Sequence, residues 1–211
     1  MRIENVFASP VWSEDKPEFI KSLNKASDFY VKDARKRNKS WTKKYGDFGG
    51  VHNTVSVTRK NDFLDFKNYI GQKAWEFLDA MGYDMSLYRT WFTELWIQEF
   101  STKGGGHQSA HIHRNQHVSG CYFLKCSEKT AHPIFHDPKT GARSTKLRMK
   151  PGLKEILLGN DLIHYRPKPG ALIIFPGYME HEYSVDHGRE PFRFIHFNLQ
   201  AVPKEIAKNG I

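Results

Sequence analysis

The 211-residue chain carries 39% hydrophobic and 14% aromatic residues, a net charge of +9 and a sequence pI near 9.4. That composition excludes a disordered chain, and the length suffices to bury a core without metal or disulfide staples. No apolar run approaches the roughly 18 residues a membrane-spanning helix needs, so no membrane association is expected. The opening residues Met1-Arg2-Ile3-Glu4-Asn5-Val6 lack an apolar secretion segment. Cys121 and Cys126 lie five apart on an expected strand and therefore face opposite ways. A reducing, cytoplasmic setting is the expectation.

In chain order, Ser13 followed by Glu14 and Asp15 reads as a capped helix start, with Phe19, Ile20, Leu23, Ala26 and Tyr30 at helical spacing behind it. The far end of this helix is expected to dissolve into the run Lys32 to Lys44. There Lys32, Arg35, Lys36, Arg37, Lys39, Lys43 and Lys44 face Asp33 alone. With Trp41 inside it, the run could meet a nucleic acid or an acidic protein, or be simply a solvated face. A second basic stretch runs from Lys139 through Arg143, Lys146, Arg148 and Lys150 to Lys154. A second helix opens near Asn61-Asp62, carries Phe63, Phe66, Ile70, Ala74, Phe77 and Met81 on one stripe, and stops at Gly82.

From residue 87 the pattern turns to short strands split by Gly, Pro and Asn. They are Trp91 to Phe100, Ala110 to His113, Val118 to Lys125, Pro133 to His136, Leu162 to Arg166, Ala171 to Phe175, His181 to Val185 and Phe192 to Leu199. The expected fold is mainly β with N-terminal helices, a jelly-roll or cupin-like barrel in one domain over 1–211. Residues 1–86 form its helical flank and 87–202 its β core. Lys103-Gly104-Gly105-Gly106 reads as a mobile entrance loop, or as a plain flexible connection.

The sharpest local feature is His111-Ile112-His113. Residues two apart on a strand share a face, so both imidazoles can meet one metal ion. His181, after the turn Pro176-Gly177, is the leading third ligand, and Arg193 follows twelve residues later. A guanidinium sharing a face with Ile195 and Phe197 needs an anionic partner, either a protein carboxylate or a bound one. The remaining histidines, His196 among them, read as structural or surface residues.

At these residues the sequence resembles the 2-oxoglutarate- and iron(II)-dependent oxygenases, specifically a prolyl-hydroxylase-like group known mainly from bacteria and phages. Asn5 to Trp12, His111 to Arg114 with Val118 to Phe123, Phe135 to Pro138, Pro169 to Pro176, His181 and Arg193 to Asn198 carry the resemblance. It implies a double-stranded β-helix, an Fe(II) centre, 2-oxoglutarate as co-substrate, O2, and an unidentified prime substrate that is hydroxylated with release of succinate and CO2. Carried over, His111 and His181 become metal ligands and Arg193 the clamp on the 2-oxoglutarate carboxylate. Tyr122 would donate to the same carboxylate if it, and not Phe123, has the inward phase.

The superfamily's usual middle ligand is a carboxylate, and here position 113 is His. Either His113 completes a three-histidine site, or an acid such as Asp137 or Glu182 does. A cupin metalloenzyme that does without 2-oxoglutarate and a non-enzymatic jelly-roll binding or structural protein are the competing readings.

Overall fold

A computed structural model describes residues 7–139, 141, 144, 147–152 and 155–208, the side chains of 207 and 208 excepted. Asn5 and Val6 of the opening segment, and Arg143, Lys146 and Lys154 of the second basic stretch, lie outside the described residues. The chain begins with a strand, β1 (Trp12–Asp15), followed by the helices α1 (Ile20–Arg37) and α2 (Lys39–Tyr45). Strand β2 (Val51–Asn53) and helix α3 (Leu64–Ala80) precede the β core. That core comprises β3 (Tyr88–Phe100), β4 (Gln108–His111), β5 (Val118–Lys125), β6 (Pro133–His136), β7 (Leu162–His164), β8 (Ala171–Pro176), β9 (His181–Tyr183) and β10 (Arg193–Pro203).

Two antiparallel sheets form, in the orders β1-β8-β5-β10-β3-β2 and β4-β9-β6-β7. Along the chain the core strands largely alternate between the sheets, the β6–β7 pair excepted, which is the winding of a double-stranded β-helix. Among the described residues the two sheets stay separate and do not close into one barrel.

The larger sheet is apolar on both faces, and its two faces do different work. Tyr122, Leu172, Ile174, Ile195, Phe197 and Leu199 face the helices. There they meet Leu23 and Val31 of α1 and Phe66, Ile70 and Phe77 of α3. The alternate residues Cys121, Phe123, Ile173, Phe175 and Phe194 point to the other side and pack with Phe135 and Tyr183 of the smaller sheet. Period-two alternation thus fixes which residues can reach the space between the sheets.

Three expectations change. Ser13-Glu14-Asp15 do not open a helix: they are edge strand β1, in register with Ile173, Leu172 and Ala171 of β8. Local cap chemistry loses to sheet pairing, and the helical conformation begins at Pro17. The basic run does not dissolve, because α1 continues to Arg37, held by buried Leu23, Ser27, Val31 and Ala34, and α2 follows at once. The glycine loop is tied down on both sides. Gly49 N donates to Gly104 O and Gly105 N to Asp186 O, each at 2.7 Å, and Gly104 and Gly105 adopt φ +82° and +79°.

Candidate metal centre

Across β4 and β9, His111 is in register with His181, which brings the two rings to 4.4 Å between centroids. His113 lies just beyond the end of β4, in a loop anchored by its own N–H donating to Gly177 O at 2.9 Å. The pair is therefore not a regular strand pair, yet the rings still converge. His113 is 5.1 Å from His111 and 5.2 Å from His181 between centroids. One ligand atom from each histidine lies within 4.8 Å of the other two.

Hydrogen bonds aim the lone pairs. His111 Nδ1 donates to Ser109 O at 2.7 Å and His181 Nδ1 to Met179 O at 3.1 Å, which leaves both Nε2 atoms unprotonated in the neutral rings. Among the described residues, the buried Nε2 atoms of His181 and His113 have no hydrogen-bond partner. Such orphaned ring nitrogens in a shared hollow fit a bound metal ion, that of His181 as it stands and that of His113 once its ring proton moves to Nδ1. Burial above all, then the neighbouring histidines, pushes the pKa of His113 down to about 3. Burial lowers His181 to about 4. Both rings are therefore neutral at physiological pH, the form that ligates.

Two residues beside the triad, His196 and Asn198, were not singled out by the sequence. His196, on the inward face of β10, is buried and packed between the tilted rings of His113 at 4.6 Å and Trp96 at 4.3 Å. Its pKa is held well below the ordinary value by burial. Asn198, wholly buried, brings its amide nitrogen 2.5 Å from Glu94 Oε2 and 3.1 Å from His113 Nδ1. In that orientation His113 Nδ1 accepts, and its proton sits on Nε2. Coordination through Nε2 requires the proton on Nδ1 and the Asn198 amide turned so that Oδ1 accepts it. The only sequence signal for these residues was the strand phase that places them beside the triad.

Arg193 and Tyr122 do not join the cluster. Arg193 faces the helices, where Nε and Nη2 both donate to Glu99 Oε2 at 2.6 Å and Nη1 donates to Asp28 Oδ1 at 2.6 Å. Its anionic partner is the protein's own pair of carboxylates. Tyr122 shares that side and donates to Lys16 O at 2.6 Å, while Phe123 takes the inward phase. β10 presents Phe194, His196 and Asn198 inward, so a co-substrate carboxylate at that end would meet aromatic rings and neutral donors instead of a guanidinium.

The alternative acids also stand apart from the triad. Asp137 Oδ1 accepts the N–H of Lys139 at 2.9 Å. Glu182 occupies the face of β9 opposite His181, with Oε1 3.8 Å from His136 Nε2. Among the described residues the one grouping able to hold a metal is His111, His113 and His181.

The family described as "Putative 2OG-Fe(II) oxygenase" matches residues 94–198, the span from β3 to β10 that contains all three histidines. No curated protein matches the chain. Among solved structures, AviO1 from Streptomyces viridochromogenes is similar with a TM-score of 0.58 at 10% identity, covering 93% of this chain and 91% of that one. A Pseudomonas putida prolyl-4-hydroxylase gives a TM-score of 0.54 at 11% identity over 91% and 94% of the two chains. The epimerase SnoN of nogalamycin biosynthesis, solved with Fe3+ and alpha ketoglutarate, gives 0.57 at 9% identity over 91% and 79%. At such identities these likenesses speak for the double-stranded β-helix fold. With the family match across the histidine-bearing strands, the chain belongs to the 2-oxoglutarate- and iron(II)-dependent oxygenases, oxidoreductases whose cofactors are iron(II) and 2-oxoglutarate.

Proposed function

We propose that this oxygenase hydroxylates a C–H bond of its prime substrate, a protein side chain such as prolyl or another molecule, at an iron centre held by His111, His113 and His181. Iron(II), with 2-oxoglutarate and O2, supplies the oxidant, and the keto acid leaves as succinate and CO2.

The observation that carries this reading is the register of His111 on His181. It sets two imidazoles with unprotonated Nε2 atoms side by side, each locked by a carbonyl on its Nδ1. A ligand ring fixed in this way needs no reorganisation when the metal arrives. Three imidazoles leave coordination positions for a co-substrate and O2, as open-sided iron centres require. His196 and Trp96 cover the flank of His113 with tilted, closely packed rings. Because burial keeps His113, His181 and His196 neutral, no imidazolium has to lose a proton before the metal binds, and His113 has only to shift its ring proton from Nε2 to Nδ1.

The test is anaerobic loading with iron(II) and 2-oxoglutarate, followed by air and quantitation of succinate. Succinate formed only by the metal-loaded chain, and abolished by His111→Ala or His181→Ala, is the expected result. A metal-loaded chain that leaves 2-oxoglutarate unconsumed would support a cupin-type centre in its place. Peptide and small-molecule pools then identify the substrate by a mass gain of one oxygen.

A further inference from the structure

Glu94 stands one side chain removed from the triad. It lies on β3 in register with Asn198 of β10, and it is exposed. Among the described residues no cationic side chain forms an ion pair with it. Its partner is the wholly buried Asn198 amide, whose nitrogen lies 2.5 Å from Glu94 Oε2 and 3.1 Å from His113 Nδ1. The amide oxygen at the other end is 3.3 Å from His196 Nε2, and the second nitrogen of His196 is 3.5 Å from Cys121 Sγ. Four side chains from Glu94 to His196 thus form one hydrogen-bonded chain that ends on a metal ligand.

The polarity of that chain is set at its solvent end. An ionised carboxylate can only accept, so the NH2 end of Asn198 must face Glu94. One amide hydrogen goes to Glu94, the other points at His113 Nδ1, and that nitrogen then has to accept. The His113 proton is left on Nε2, while Asn198 Oδ1 accepts from Nε2–H of His196. Donors and acceptors match throughout, and the atom left over is Nε2 of His113, buried without a partner. It is the atom a metal ion would need, and it carries a proton.

We infer that Glu94 is a positioning residue for the third ligand: acting through Asn198, its carboxylate holds His113 in the tautomer that cannot coordinate through Nε2. Loading requires the chain to reverse. Asn198 turns over, its Oδ1 accepts from Nδ1–H of His113, and its nitrogen donates to His196 Nε2. The His196 proton then sits on Nδ1, beside Cys121 Sγ. Each ring exchanges one proton position for the other, so none is gained or lost. Oδ1 now faces Glu94 Oε2, and because two acceptors at that distance repel, Glu94 must withdraw. Being exposed and free of a cationic partner, it can move into water. The inference rests on the reading of His113 as a ligand, and it gives the carboxylate an effect opposite to simple attraction. Removing this negative charge should tighten metal binding.

The test pairs Zn(II) competition titration of the full chain with nitrogen-15 NMR of its histidine rings. In the native chain the His113 proton should sit on Nε2 without metal and on Nδ1 with zinc bound. Glu94→Gln and Glu94→Ala should each tighten zinc binding about tenfold, the worth of a hydrogen bond to a charged acceptor. Both should also move the metal-free ring toward the Nδ1–H form. In an Asn198→Leu background, Glu94→Gln should change nothing, because the connecting amide is gone. Glu94 is exposed, so its two variants carry the test even if Asn198→Leu fails to fold. Unchanged or weaker zinc binding in both Glu94 variants overturns the inference, as does an equal gain without Asn198. So does a metal-free native chain whose His113 proton already sits on Nδ1. A native chain that binds no zinc contradicts the metal centre itself, and the metal-free spectra then still decide whether Glu94 sets the His113 tautomer.

Discussion

Glu99 Oε2 receives both the Nε and the Nη2 of Arg193 at 2.6 Å, while its Oε1 receives the Nε and Nη2 of Arg35 at 3.0 and 2.8 Å. One carboxylate on β3 therefore ties the last strand to α1, and Asp28 of α1 takes the remaining arm of Arg193. Arg193 and Glu99 are buried, so the arrangement is a structural ion network between the helix layer and the sheet.

Stranding a buried charge costs about 3–5 kcal/mol, but Glu99 keeps both hydrogen bonds from Arg35 when Arg193 is removed. Arg193→Ala is accordingly expected to lower stability by less than that, in denaturant titration. Any loss of 2-oxoglutarate affinity should follow the loss of folded protein. A stable Arg193→Ala chain with a selective defect in 2-oxoglutarate binding would return the residue to the cavity.

Asn198 is expected to tune His113. Asn198→Asp supplies an acceptor for Nδ1–H and should keep or raise metal affinity. Asn198→Leu removes the side-chain partner and should cost about 10–100-fold, the usual penalty for losing the group that orients a ligating histidine. Zn(II) competition titrations read both variants, and equal affinities would show that Asn198 does not orient the ring.

The metal-free chain should lose stability in acid. The pKa of His113 is lowered to about 3, those of His181 and His132 to about 4, and that of His196 well below the ordinary value, burial being the first cause in each case. Unfolded, all four titrate near 6.5. As pH falls below that value the unfolded chain takes up protons the folded chain refuses, so folding weakens. The loss should reach up to about 1.4 kcal/mol per pH unit for each such histidine until the folded pKa is passed. Urea midpoints at pH 7, 6 and 5 should therefore fall steadily, and a flat series would contradict the buried, neutral rings.

Much of this was legible in the sequence, and what was not has physical reasons. Val118–Lys125 and Pro133–His136 announced themselves by apolar β-rich runs between turns, and the α3 stripe by its spacing. The triad was legible because His111 and His181 each sit where a strand meets a turn. Which face of β10 meets the triad was not. Both faces are buried and largely apolar. Arg193, Ile195 and Phe197 do share a face, yet that face meets the helices while His196 lies beside the triad. β1 was hidden because Ser13-Glu14-Asp15 carries helix-cap chemistry, and only the distant β8 edge overrides it.

Metal stoichiometry tests most directly whether His111, His113 and His181 hold one metal ion. Anaerobic equilibrium dialysis against iron(II) should load the native chain with one equivalent. His111→Ala, His113→Ala and His181→Ala should each bind far less, and His113→Asp should load again through a carboxylate in the same place. A fully loaded His113→Ala chain would remove that residue from the centre, and a native chain that takes up no iron would contradict the account.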